Sequence, residues 1–115
     1  MRDDRVYLCH IRDALARIVD YARDGRAAFL ADVKTQDAVI RNLEVVGEAA
    51  KNLSDAFKET HPDVPWRLIA GMRDKLIHQY FGVKLELVWD TVAGHVPVLL
   101  AKVEALLQEG TSKVC

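Results

Sequence analysis

Val39, Leu43, Val46, Ala50, Leu53 and Phe57 follow one another at steps of four and three residues, a spacing that lines six apolar side chains along one face of an α-helix. No stretch of the chain shows the two-residue alternation of a half-buried strand. The same helical spacing returns in Leu8, Ile11, Leu15, Ile18 and Ala22, and in Leu85, Val88, Val92, Leu99, Val103 and Leu106. The chain is therefore expected to be all-α, an antiparallel four-helix bundle in which short connections make sequence neighbours into spatial neighbours.

Breakers set the expected boundaries. The first helix should cover residues 5–24, with Asp3 or Asp4 as its cap and Gly25 as its stop. Residues 26–31 add a possible short helix that carries Phe29 inward. Thr35 is the candidate cap of the second long helix, which the stripe extends to residue 58 or 59. Gly47 lies inside that helix, where glycine costs up to about 1 kcal/mol against alanine, and its presence points to a close helix contact. His61-Pro62-Asp63-Val64-Pro65 ends the second helix, and Pro65 suits the first turn of a third over residues 66–80. A fourth pattern covers residues 84–108, with Pro97 inside it to kink or split it. Residues 110–115 are expected to fray.

At 115 residues, half of them hydrophobic, the chain is expected to be a single domain, residues 1–115, with a modest core. The 16 Lys and Arg nearly balance the 17 Asp and Glu, which argues against a protein that coats nucleic acid by charge alone. Residues 66–84 are the exception, holding Arg67, Arg73, Lys75 and Lys84 against Asp74. Cys9 and Cys115 lack the spacing of a disulfide framework or a C-x-x-C site, and both are expected as reduced thiols. The first residues lack a signal peptide's apolar region, and no apolar run reaches the length of a membrane span. A cytoplasmic, soluble protein without membrane contact is expected.

The chemistry is concentrated in Arg73-Asp74-Lys75-Leu76-Ile77-His78-Gln79-Tyr80. At about 100° per residue, Arg73 and Tyr80 fall about 20° apart on the helix, whereas Arg73 and His78 fall about 140° apart. Asp74 and His78 share a line at i, i+4 spacing. The bland reading is a solvated helix face with an Asp74–His78 hydrogen bond. The functional reading combines a general acid or base at His78, a phosphate-binding fork at Arg73, and Asp74 as the group that orients the imidazole. Such a set can cleave RNA without a metal: a base takes the 2′-OH proton, the oxygen attacks phosphorus in line, and a cation stabilises the charge that develops. Because Arg73 and His78 diverge, a cleft shared between two such helices suits them better than one helix.

His10, His61 and His95 lack the companions of a metal site. Glu44 and Glu48 form an i, i+4 carboxylate pair that could hold a metal, but no histidine or aspartate motif accompanies it, and no metal or cofactor is expected. Gly-rich phosphate loops, nucleophile elbows and interleaved stacking aromatics are missing from the sequence.

The segment from Arg73 to Tyr80 resembles the Arg-x-x-x-x-His-x-Tyr signature of HepT-like toxins in the HEPN superfamily. Gly71-Met72 and Phe81-Gly82-Val83 resemble its flanks, residues 40–49 the family's second long helix, and residues 62–66 the turn before its motif. The likeness covers about residues 38–83. It implies a HEPN bundle that forms a homodimer, with two motifs lining one cleft, and a metal-independent endoribonuclease toxin of a type VII-like toxin–antitoxin pair. Arg73 and His78 would be catalytic, Asp74 supporting, and RNA rather than DNA the substrate. A minimal nucleotidyltransferase antitoxin would neutralise the toxin by adenylylating Tyr80. The rival reading is a non-catalytic nucleotide- or substrate-binding subunit of that nucleotidyltransferase.

Overall fold

A computed structural model describes residues 4–78 and 84–109. Among them the structure is all-helical, in the order α1 (Asp4–Tyr21), α2 (Arg26–Ala31), α3 (Val33–Asn52), α4 (Asp55–Thr60), α5 (Trp66–His78), α6 (Leu85–Gly94) and α7 (Val96–Gln108). The segmentation is finer than four helices. α1 packs on α3 and α7, and α3 packs on α5, so α3 separates the N-terminal helix from the one that carries the motif. No helix of the described residues is long and apolar enough to cross a membrane.

The expected stripes form the core. Leu8, Ile11, Leu15 and Ile18 of α1 meet Val39, Leu43, Val46 and Ala50 of α3, and Val96, Val103 and Leu107 of α7 complete the cluster. Phe29 is turned inward by α2 as expected, with its ring centroid 5.5 Å from that of Trp89. Burying a side chain of this size contributes roughly 1.5–3 kcal/mol. Gln36 holds α2 in place, since its buried amide donates to the carbonyls of Phe29 and Leu30 at 3.0 and 3.1 Å. Those carbonyls lie at the end of α2, where the Phe29 carbonyl also accepts from the Asp32 amide at 3.4 Å.

Gly25 follows α1 at φ 94°, a left-handed conformation that glycine adopts without steric cost. Pro97 sits in the first turn of α7 and the pattern is split at His95, as the proline required. The cap of α3 differs from the expectation. Asp32, not Thr35, precedes the helix and accepts from the Lys34 amide at 3.2 Å, while the Thr35 hydroxyl donates to Asp32 at 2.6 Å. That hydroxyl is the first cause of the lowered pKa of Asp32. A carboxylate can serve the backbone and the threonine together, and so it takes the cap position.

The second long helix also ends earlier than its stripe. Leu53 is extended, with φ −63° and ψ 145°, and Ser54 caps α4 by accepting from the Phe57 amide at 3.1 Å. Asp4 fixes this break from across the fold, accepting from the Ser54 amide at 2.8 Å and its hydroxyl at 2.7 Å. The stripe continues through the break because Leu53 and Phe57 still face the core. In the following turn, the Trp66 indole donates to the His61 carbonyl at 3.1 Å, and Lys102 reaches the Asp63 carbonyl at 3.1 Å. Both contacts set the angle at which α5 leaves.

Cys9 is buried on α1 and disulfide-bonded, which corrects the expectation of a reduced thiol. The chain's other cysteine, Cys115, lies outside the described residues. Residue spacing reports local structure and carries no sign of a thiol's redox state.

Candidate active site

α5 carries the motif from Arg73 to His78. Val64 and Trp66 are buried at its start and Leu76 near its end, so the helix is held to the core along one side while Arg73 flanks that side. Arg73 is half-buried, and the cause lies on α3. At Gly47 the backbones of α3 and α5 nearly touch: a Cβ added there would meet the Arg73 Cβ, and would lie 3.1 Å from the Ile69 carbonyl and 3.3 Å from the Arg73 Cα. The close contact expected from Gly47 is therefore made to Arg73 itself.

The neighbour of Gly47 then meets the guanidinium. Arg73 Nε lies 2.7 Å from Glu48 Oε2, and Nη1 donates to Asp74 Oδ1 at 3.2 Å. The side chain of Arg73 is 28% exposed, against 50% for Glu48 and 53% for Asp74. Ion pairs this open to water are worth only about 0–1 kcal/mol, so their effect is geometric. A long side chain with several rotatable bonds is confined to one direction before any ligand arrives, which lowers the entropic cost of gripping an anion. Gly47 and Glu48 together act as a socket for Arg73.

Asp74 was expected to orient His78; its described partner is Arg73. His78 is the last residue of α5 and follows Arg73 by five positions, which is about 7.5 Å along a helix axis. Only its backbone is described. Tyr80 lies outside the described residues. The expected Glu44–Glu48 pair is real as a helical neighbour relation, but Glu48 faces Arg73 and Glu44 faces Arg41 at 3.9 Å. The role of Glu48 was missing from the sequence reading. Its signal was its place beside a mid-helix glycine, which marked the helix contact without saying which residue came from the other side.

His61 and His95 take structural positions. His61 ends α4 with Nδ1 3.0 Å from the Phe57 carbonyl, and His95 joins α6 to α7. His10 is exposed on α1. Leu68, Ile69 and Met72 of α5 border an apolar groove of about 510 Å³ whose lining also includes Val96, Val98 and Leu99. Leu68 and Val98 are 74% and 57% exposed there.

The chain matches the family model described as "Ribonuclease HepT-like" over residues 11–106. The chain belongs to the HepT-like ribonuclease family. It is 48% identical over 106 residues to the "Probable ribonuclease HepT" of Thermococcus cleftensis, covering 91% of this chain and 96% of that protein. It is 44% identical over 109 residues to the Methanocaldococcus jannaschii protein named "Putative RNase MJ0127", covering 94% of this chain and 90% of that one. No solved structure gives a significant match. Membership of this HepT-like family makes the chain a ribonuclease, acting on RNA.

Proposed function

We propose that this HepT-like ribonuclease is a metal-independent endoribonuclease toxin of a type VII-like toxin–antitoxin pair, with Arg73 and His78 as its catalytic residues. The observation that carries this reading is the seating of Arg73, whose guanidinium is directed by Glu48 and Asp74 on the helix that also ends in His78. Arg73 grips the scissile phosphate and stabilises the charge gathering on its oxygens. His78 takes the 2′-OH proton and, in its protonated form, returns one to the leaving 5′-oxygen. Asp74 supports the pair through Arg73. The direct test is cleavage of a defined single-stranded RNA by the isolated protein in EDTA, with products ending in a 2′,3′-cyclic phosphate. Intact RNA under those conditions, restored to cleavage by a divalent ion, would replace this mechanism with a metal-assisted one.

The protein works as a homodimer in this reading. Support comes from the apolar groove along α5, with Leu68 and Val98 exposed at its rim: a second copy seated there brings two motif helices into one assembly. Sedimentation at assay concentrations is expected to show a dimer, and Leu68→Asp is expected to yield a folded monomer with little activity. An active monomer would refute the shared cleft.

Tyr80 is the point of control. By residue spacing alone it comes about 20° from Arg73 on an ideal helix, and a nucleotide attached to its hydroxyl would then put a phosphate where Arg73 would hold RNA. Incubation with a cognate minimal nucleotidyltransferase antitoxin and ATP is expected to add one adenylyl mass or more to Tyr80 and to stop cleavage. The Tyr80→Phe protein should escape neutralisation by that route. Modification at a different residue, or modified Tyr80 with cleavage intact, would sink this assignment.

A further inference from the structure

Beside Arg73, α1 and α3 enclose a second, polar pocket of about 220 Å³, lined by Tyr7, His10, Glu44, Glu48, Asn52 and Arg73 with Arg41, Val45 and Ala49. Pockets for drug-sized ligands run to roughly 300–1,000 Å³, so this one suits a single planar ring system. Its wall is aromatic on the α1 side, where the rings of Tyr7 and His10 stand edge to face with centroids 6.2 Å apart. On the α3 side it carries the carboxylates of Glu44 and Glu48 together with Arg41. Glu48 is committed to Arg73, while the Glu44 side chain is only 19% exposed and its ion partner Arg41 stands 3.9 Å away, beyond hydrogen-bond reach.

With Arg41 and Arg73 balancing the two carboxylates, the wall has no excess charge to draw a phosphate inward, and the carboxylate oxygens favour a ligand that presents N–H groups. The phosphate is accommodated at the rim instead, by Arg73. RNA-binding sites commonly splay a single-stranded base onto an aromatic surface and read its Watson–Crick edge by hydrogen bonds. Guanine is the one common base with two adjacent donors on that edge, N1–H and the 2-amino group, and the two oxygens of a carboxylate match them. Adenine and cytosine set one amino donor beside a ring nitrogen acceptor, and uracil sets its N–H between two carbonyls, so each would bring an acceptor against the carboxylate.

We propose that this pocket is a guanine subsite, in which Glu44 accepts from N1–H and the 2-amino group of a nucleotide flanking the phosphate held by Arg73. The proposal rests on the ribonuclease reading of Arg73 and adds a base preference to it. Glu44 is a specificity-determining residue, and Tyr7 and His10 provide the stacking wall.

The experiment compares wild type and Glu44→Gln on matched RNA oligonucleotides that carry guanosine, inosine, adenosine, cytidine or uridine at one position. It also measures binding of 5′-GMP, 5′-IMP and 5′-AMP by calorimetry. Wild type should cut beside guanosine about ten- to a hundredfold faster than beside the other bases, the discrimination typical of a bidentate contact. Inosine keeps N1–H and lacks the 2-amino group, so it should lose a large part of that preference with no change to the protein. In Glu44→Gln the guanosine–inosine difference should vanish, because the group that reads it is gone. Cleavage by wild type with no base preference overturns the guanine subsite and leaves the ribonuclease reading intact. Preferential GMP binding that depends on Glu44, in a protein that cuts no RNA, supports the subsite and removes the mechanism assigned to Arg73. Equal binding of GMP, IMP and AMP by wild type overturns the subsite whatever the cleavage result.

Discussion

Arg73→Ala is expected to lower RNA cleavage by about a hundred- to a thousandfold, the loss seen when a preorganised electrostatic donor is removed from an active site. His78→Ala is expected to lower it by about a hundred- to ten-thousandfold through the loss of general acid–base chemistry. Arg73 is half-buried against Gly47 and Glu48, but its ion pairs are open to water and contribute little to stability. Melting temperature and helicity should therefore stay close to wild type while single-turnover rates collapse. Arg73→Lys keeps the charge and loses the planar fork, so it should recover only a minor part of the rate. A folded Arg73→Ala or His78→Ala protein that cleaves at the wild-type rate would remove that residue from the mechanism.

Gly47→Ala is expected to destabilise the protein by about 1–3 kcal/mol, as overpacking of a tight contact does, with a several-degree drop in melting temperature. The sign is what matters. Helix propensity alone makes alanine more favourable than a mid-helix glycine by up to about 1 kcal/mol, so an isolated α3 would gain helicity from this change. In the folded protein the added methyl runs into the Arg73 side chain at its root, with the α5 backbone directly behind it. Moving α5 away to make room also moves Arg73 off Glu48, so cleavage should fall along with stability. Gly47→Val, with two further methyls, should be worse in both respects. A Gly47→Ala protein more stable than wild type would show that α3 and α5 do not approach as closely as described.

The helices themselves were legible from residue spacing because amphipathic periodicity is a local property: Leu8, Ile11, Leu15 and Ile18, or Val39, Leu43 and Val46, announce one buried face each. Gly25 and Pro97 were legible for an equally local reason, since the backbone freedom of one and the fixed φ of the other act within a turn. The motif from Arg73 to Tyr80, and the family it resembles, were readable from residue types in order. Even the tight contact at Gly47 was visible, as a glycine where helix propensity disfavours it.

Tertiary structure decided the pairings. The break at Leu53–Ser54 depends on Asp4, fifty residues away in sequence, and an apolar stripe that runs through both sides of the break conceals it. The α3 cap is the exception, a local competition in which Asp32 offered a carboxylate one turn before Thr35. The disulfide at Cys9 was not legible from cysteine spacing. Glu48 read as half of a carboxylate pair with Glu44 until α5 put Arg73 against one and left the other facing the pocket behind Tyr7. The physical reason is common to the Asp4–Ser54 and Glu48–Arg73 pairings: hydrophobic periodicity states which face of a helix is buried, while the partner of a polar side chain on another helix is set by the angle and register at which the two pack, and these arise only when the whole core closes.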